Sequence, residues 1–211
     1  KIINLKNQIL IEKPLTINPN DYFKYKLNKK NTYLSLQFYF AIYFASIKKE
    51  IKNEKIEYLK VDWFDNKNEK KNFNKKINFI EDSFYHFFSI VRIFIKSTRL
   101  INDNSIIKKT KIKSNFKNIQ IILNSSKNSY NKKRILFIKT NKNEYTINFK
   151  NLNAIYIKKN KNKKIKITKN IKNITIQIDN FLDKKNIIKK NSLHNLKYLF
   201  KDLIQIKNQL T

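Results

Sequence analysis

"INFIEDSFYHFFSIVRIFIKSTRL", Ile77 to Leu100, is the stretch on which the fold turns. Its apolar residues Ile77, Ile80, Phe84, Phe87, Phe88, Val91 and Ile95 recur at i, i+3, i+4 and i+7, the spacing of one helix face. Glu81 and Asp82 sit in the early turns, and Arg92, Lys96 and Arg99 in the later ones. Both placements suit the helix dipole. From Ile106 onward the period changes to two. "KTKIK" (109–113), "NIQIIL" (118–123), "RILFIKT" (134–140), "EYTINF" (144–149), "AIYIKK" (154–159), "KIKIT" (164–168) and "ITIQI" (174–178) alternate like half-buried strands. Asn, Ser and Lys clusters separate them. With no glycine in the chain, Asn is the residue best suited to turns that need positive φ, so "TNKNE" (140–144) and "KNKNK" (159–163) predict hairpins.

The flanks complete an α+β expectation: aromatic-rich helices packed on a mainly antiparallel basic sheet, with an N-terminal extension. Residues 1–75 read as that extension. It holds a strand-like run at Ile9 to Ile11, the breakers Pro14 and Pro19, and an apolar stretch, Thr32 to Ile47, predicted to be part of a buried helix over about 32–50. A charged, Asn-rich loop region, 48–75, surrounds one strand-like island, "YLKVDWF" (58–64). Residues 76–211 read as a basic α+β RNA-binding domain. It ends in a helix on which Leu193, Leu196, Leu199, Phe200, Leu203, Ile204 and Ile206 fall near helical spacing, with Ser192 as its N-cap.

Charge sets the functional expectation. The 211 residues carry 47 Lys and Arg against 15 Asp and Glu, a formal net charge of +32. A compact body so charged repels itself unless a polyanion neutralises it, and nucleic acid is the densest candidate. Between Asn104 and Ile178 the only acid is Glu144, against nineteen Lys and one Arg. The codon bias of an AT-rich genome explains part of the Lys excess, but such bias permits Asp and Glu as well.

Missing residues exclude chemistry. Without Gly there is no Gly-rich phosphate loop, dinucleotide fingerprint or nucleophile elbow of the usual kinds. Without Cys there is no disulfide, thiolate nucleophile or Cys-containing zinc site. His86 and His194 lack a nearby acidic cluster of metal-ligand spacing and read as helix-surface or partly buried residues. Glu81 and Asp82 are explained by the helix start, and neighbours on a helix point in different directions. No catalytic residue, metal or cofactor is expected.

The basic residues carry the expected contacts. On a strand, Lys164, Lys166 and Thr168 share one face, as do Lys109, Lys111 and Lys113, making lysine ladders above an apolar floor. With Lys158, Lys159, Lys161, Lys163 and Lys169 around the first ladder, they form a surface that could meet phosphate or guard a sheet edge. Arg92, Lys96 and Arg99 on the later half of the helix, and Lys132, Lys133 and Arg134 before a strand, add cations suited to the same task.

The composition, rich in Lys, Asn and Ile, resembles that of mitochondrion-encoded ribosomal proteins. A sharper resemblance is to the third small-subunit ribosomal protein, the KH-domain family near the mRNA entry. Trp63-Phe64 precede "KNF" at Lys71 to Phe73, and "EDSFYHFF" (81–88) stands where that family has a helix. "IIKKTKIK" (106–113) and "NIQIILNSSKN" (118–128) would be its two strands, with Ser125, Ser126 and Lys127 at a turn. "ITIQIDNFLDKK", Ile174 to Lys185, is similar to its later strand and helix. The family's GxxG cannot be present. The resemblance implies a non-enzymatic structural constituent of the mitochondrial ribosome, in the matrix, with rRNA and neighbouring ribosomal proteins as partners and no small-molecule substrate. Two alternatives are a peripheral subunit of a mitochondrial inner-membrane complex, against which the charge argues, and a maturase-like nucleic-acid factor.

Overall fold

A computed structural model describes residues 2–5, 8–24, 28–66, 79–95, 99–150, 156–158, 173–183 and 192–210. The chain opens with a small sheet. Strand β1 (Ile2–Leu5) pairs antiparallel with β2 (Gln8–Ile11), and β2 pairs parallel with β3 (Thr32–Leu34). A parallel partner requires a crossover, supplied by a Pro-punctuated loop and the one-turn helix α1 (Asp21–Lys24). A 3₁₀ turn (Gln37–Phe40), helix α2 (Ile42–Glu50) and strand β4 (Ile56–Asn66) follow.

Helix α3 (Phe79–Phe94) leads into β5 (Ile106–Lys108), β6 (Lys111–Phe116), β7 (Ile119–Ser129), β8 (Lys133–Thr140), β9 (Glu144–Asn148) and β10 (Tyr156–Lys158). With β4 these strands form a seven-stranded sheet in the order β10-β9-β8-β4-β7-β6-β5. Every pairing in it is antiparallel except β4 with β7. The fold is therefore α+β with a mainly antiparallel sheet. Helices α4 (Asn173–Leu182) and α5 (Lys197–Leu210) close the chain.

Period-two patterning builds the core. Leu59, Val61 and Trp63 alternate along β4 toward the helices. Leu59 lies in register with Ile138 and Ile121, and Val61 with Leu136 and Leu123. Across that apolar layer α3 presents Ile80, Phe84, Phe87, Phe88, Val91 and Ile95, all buried. Each such Phe is worth about 1.5–3 kcal/mol when withdrawn from water. Helix α5 adds Leu199, Phe200, Leu203 and Ile206. Phe200 stacks on Tyr22 at 4.0 Å and 6°, and the Tyr22 hydroxyl donates to the Leu193 carbonyl at 2.6 Å. The start and end of the chain are thereby fastened together.

Several sequence expectations change. Thr32 to Ile47 is a strand, a 3₁₀ turn and a shorter helix. A run that is apolar all round has no period to choose between strand and helix, and here β2 offers Thr32–Leu34 a ladder. The "YLKVDWF" island, placed by sequence inside an N-terminal extension, belongs to the central strand of the large sheet. Ser125, Ser126 and Lys127 continue β7 instead of turning. "ITIQI" lies in helix α4: among its described side chains Gln177 and Phe181, four residues apart, are buried, while Thr175 is exposed. Ser192 bonds the turn before α5, with Asn195 N–H donating to its carbonyl at 3.0 Å, and does not cap the helix itself. "TNKNE" does make the β8–β9 turn. Among the described residues, however, the non-glycine residue at positive φ is Lys117 (φ 54°), in the two-residue β6–β7 turn. "KIKIT" and "KNKNK" lie outside the described residues.

Candidate active site

Asp82 and His86 are four residues apart on α3, so their side chains lie one above the other on one face. Two residues past the end of β2, Lys13 places its ammonium 2.7 Å from Asp82 Oδ1, in a charge-assisted hydrogen bond between half-buried partners. The peptide from Lys13 to Pro14 is cis. Parallel pairing of β2 with β3 and the packing of α3 on the sheet bring together groups that lie 69 residues apart.

His86 is half-buried, and its imidazole is walled in by rings. It stacks on Trp63 at 4.2 Å and 13°, and Phe38 meets both edge-on, at 5.3 Å from His86 and 5.6 Å from Trp63. Phe149 closes the cluster at 5.7 Å from Phe38. Burial pushes His86 well below the ordinary value of 6.5, and the charges of Lys13 and Arg134 push the same way. The imidazole is thus held neutral, a form whose ring nitrogen can accept a hydrogen bond, while the ammonium beside Asp82 is a donor. A neutral imidazole on α3 and a cationic donor held against the same helix face by Asp82, with apolar walls, make an arrangement for moving a proton at a polar substrate group.

Of the sixteen cations singled out from the sequence, nine lie among the described residues. Arg92 lies over the Phe88 ring at 5.1 Å. Arg99 is bound to Asp202 and Gln205. Lys109 is in a turn, so the expected ladder keeps only Lys111 and Lys113 on one face of β6. Lys133 pairs with the buried Asp62 at 2.8 Å, and Lys132 is half-buried beside it in sequence. Arg134 is buried, donating to the Phe64 and Lys133 carbonyls and to Asp65. Lys158 belongs to β10. Lys96, Lys159, Lys161, Lys163, Lys164, Lys166 and Lys169 lie outside the described residues. Sequence reasoning passed over Asp82 and His86, whose i, i+4 spacing was the available signal, and Lys13, which only the fold connects to them. Among the described residues no group of three or more His, Cys, Asp or Glu could hold a metal.

No protein-family model matches the sequence, and no curated protein does. Solved structures do match the fold. A Gfo/Idh/MocA family oxidoreductase from Vibrio cholerae superimposes with a TM-score of 0.68 at 11% identity, covering 95% of this chain and 70% of its own. UDP-N-acetylglucosamine 3-dehydrogenase GnnA from Acidithiobacillus ferrooxidans gives 0.73 at 12%, with 95% and 70% covered. A super-repressor mutant of Gal80p from Saccharomyces cerevisiae gives 0.69 at 12%, with 94% and 69% covered.

The chain shares its architecture with all three. That likeness corrects the ribosomal reading and the KH-type resemblance, and with them the expectations of a non-enzymatic role, of rRNA and ribosomal proteins as partners, and of no small-molecule substrate. The two strands assigned to the KH pattern are instead β5–β6 and β7 of the large sheet. No described helix is long and apolar enough to cross a membrane. Composition misled because lysine abundance reports codon bias as readily as a polyanionic partner.

Proposed function

We propose that this chain forms the substrate-side, proton-handling part of an oxidoreductase acting on a hydroxyl-bearing small molecule, with a sugar nucleotide as the first substrate class to test. The observation that carries this reading is the Lys13–Asp82–His86 arrangement on a fold shared with dehydrogenases. Oxidising an alcohol to a carbonyl requires the hydroxyl proton to leave as hydride departs. Neutral His86 is the base proposed for that proton, the Lys13 ammonium stabilises the developing oxyanion, and in the reverse direction the imidazolium of His86 returns the proton. Asp82 holds the ammonium in place. Trp63, Phe38 and Phe149 give the site its apolar wall, where those charges act through a lower dielectric.

Hydride chemistry needs a nicotinamide or flavin. The 211 residues contain no glycine and hence no Gly-rich turn to cradle a dinucleotide pyrophosphate. These residues do not fit that cofactor's phosphates, and the chain's own share is the proton chemistry. Turnover of UDP-N-acetylglucosamine with nicotinamide dinucleotide, followed by cofactor absorbance in the full-length protein, tests the reading. Lys13→Met and His86→Gln are each expected to lower kcat/KM by roughly 100-fold or more. Sugar-nucleotide binding without turnover, or turnover indifferent to both changes, would overturn it.

A further inference from the structure

We propose that Arg134 is a positioning residue for His86, acting through the Trp63 indole that lies between them. This rests on the role given to His86 above. The Arg134 guanidinium carbon is 3.8 Å from the Trp63 ring centre, and the His86 ring centre is 4.2 Å from it, nearly parallel. Two planar groups that close to one point overlap if they share a face, so they occupy opposite faces. The result is a guanidinium–indole–imidazole column, clamped from the side by Phe38.

The column is anchored at the arginine end. Arg134 Nη1 donates to the Phe64 carbonyl at 2.5 Å and to the Lys133 carbonyl at 3.0 Å, and Nη2 is paired with Asp65. Its own carbonyl accepts from Phe149 N–H at 2.9 Å, tying it to the residue that closes the aromatic wall. A guanidinium fixed by a carboxylate and two backbone oxygens is a rigid plate. The indole stacked on it inherits one orientation, and so does the imidazole. Placing an arginine in a core position would be costly for packing alone. Here it sets a plane and contributes a positive charge toward His86.

The charged groups facing His86 are Lys13 from the segment after β2 and Arg134 from β8, with Asp82 on its own helix against Lys13 and Asp65 at the end of β4 against Arg134. Both cations oppose protonation of the imidazole. Lys13 is committed to Asp82 and to the substrate group; Arg134 is screened from substrate by the indole and serves only to hold the base neutral and in plane.

The test reads the imidazole directly, without substrate or turnover, so its failure is separable from failure of the functional reading. The chain has two histidines, His86 and His194. Their ring resonances are followed by NMR in the full chain between about pH 5 and 8, the range in which an ordinary imidazole titrates. In the parent protein His86 is expected to stay neutral across this range. Arg134→Met removes the charge beside Trp63; His86 is expected to begin protonating toward the acid end of this range, where the parent does not. Arg134→Lys keeps the charge and loses the plate. In it His86 should stay neutral as in the parent protein, while the His86 ring-proton shifts, which report the angle to Trp63, move. A purely structural arginine would lower the melting temperature of both variants and leave the His86 titration and ring shifts unmoved, and that result overturns the proposal. If Arg134→Met does not fold, the ring shifts of Arg134→Lys decide alone.

Discussion

Asp82 on α3 and Asp202 on α5 are both helix carboxylates that meet a cation carried in from elsewhere in the chain. Asp202 is fully enclosed: Oδ2 accepts from Leu100 N–H at 2.8 Å and Oδ1 from Arg99 Nε at 3.2 Å, while Arg99 Nη2 also donates to Gln205 at 2.6 Å. Asp82 keeps about a quarter of its side chain open, 27%, and its partner Lys13 keeps 18%. The first carboxylate is itself buried and joins the segment after α3 to the C-terminal helix, although its partner Arg99 keeps 41% of its side chain exposed. The second holds an ammonium at an accessible edge beside a neutral imidazole. Similar chemistry thus serves architecture where the carboxylate is sealed and offers reactivity where it is open.

The largest expected contrast is between activity and stability at Lys13. Lys13→Met should cost roughly 100-fold or more in kcat/KM, because the cation that stabilises the developing oxyanion is lost. The melting free energy should change by under about 1 kcal/mol, the usual scale for a partly exposed ion pair. Denaturant melts beside kinetics check this; a loss of stability comparable with that at Arg99 would erase the distinction. Arg99→Ala should show the opposite balance, a stability loss of about 3 kcal/mol at neutral pH, since it leaves an enclosed carboxylate without its cation, and kcat/KM within about twofold.

The same contrast explains which parts of the molecule were legible in the sequence. Helix α3 was, because Ile80, Phe84, Phe87, Phe88, Val91 and Ile95 repeat at 3.6 and all reach the core. Strands β6 to β9 were legible for the parallel reason at period two. "ITIQI" was not, since Ile174, Ile176 and Ile178 alternate as a strand would, and only tertiary packing selects the Gln177–Phe181 face. Asp202 looked like one more polar residue on an amphipathic helix, yet it is fully buried. For the site, Asp82 and His86 were visible as a spaced pair but had an adequate explanation as helix-start acid and ring residue. Lys13 looked like any of the chain's many lysines until the fold placed it 2.7 Å from Asp82. Its role depends on a long-range contact that no local pattern encodes.

A middle-sized effect sharpens the Asp202 side of the comparison. Burial lifts this carboxyl to about 6, against the pull of Leu100 N–H and Arg99 in the other direction. A carboxyl whose folded value lies above its unfolded one, near 3.8, stabilises the fold fully below the unfolded value. That contribution is lost as pH rises through about 6, because deprotonation then favours the unfolded chain. Asp202→Asn removes the dependence. Denaturant melts between about pH 4 and 7 should show the parent losing stability relative to Asp202→Asn by an amount on the order of 2 kcal/mol. A difference between the two that stays constant with pH would mean that Asp202 is ionised throughout.

The smallest effect asks whether the sealed carboxylate is held by a pair or by a network. Gln205 accepts from Arg99 and, through Nε2, donates to the Asn102 carbonyl at 3.3 Å, so it ties the guanidinium to the loop after Arg99 as well as to α5. Gln205→Leu keeps the helix propensity and the stem while removing both bonds. A loss of about 1 kcal/mol is expected, since one of the bonds is charge-assisted but the site is partly exposed. The informative quantity is the coupling in a double-mutant cycle with Arg99→Ala. If Gln205 acts by orienting the guanidinium onto Asp202, nearly all of its effect should vanish once Arg99 is gone. If instead its bond to Asn102 carries the effect, the two losses will add, and the closure of this corner is owed to the loop and not to the ion pair.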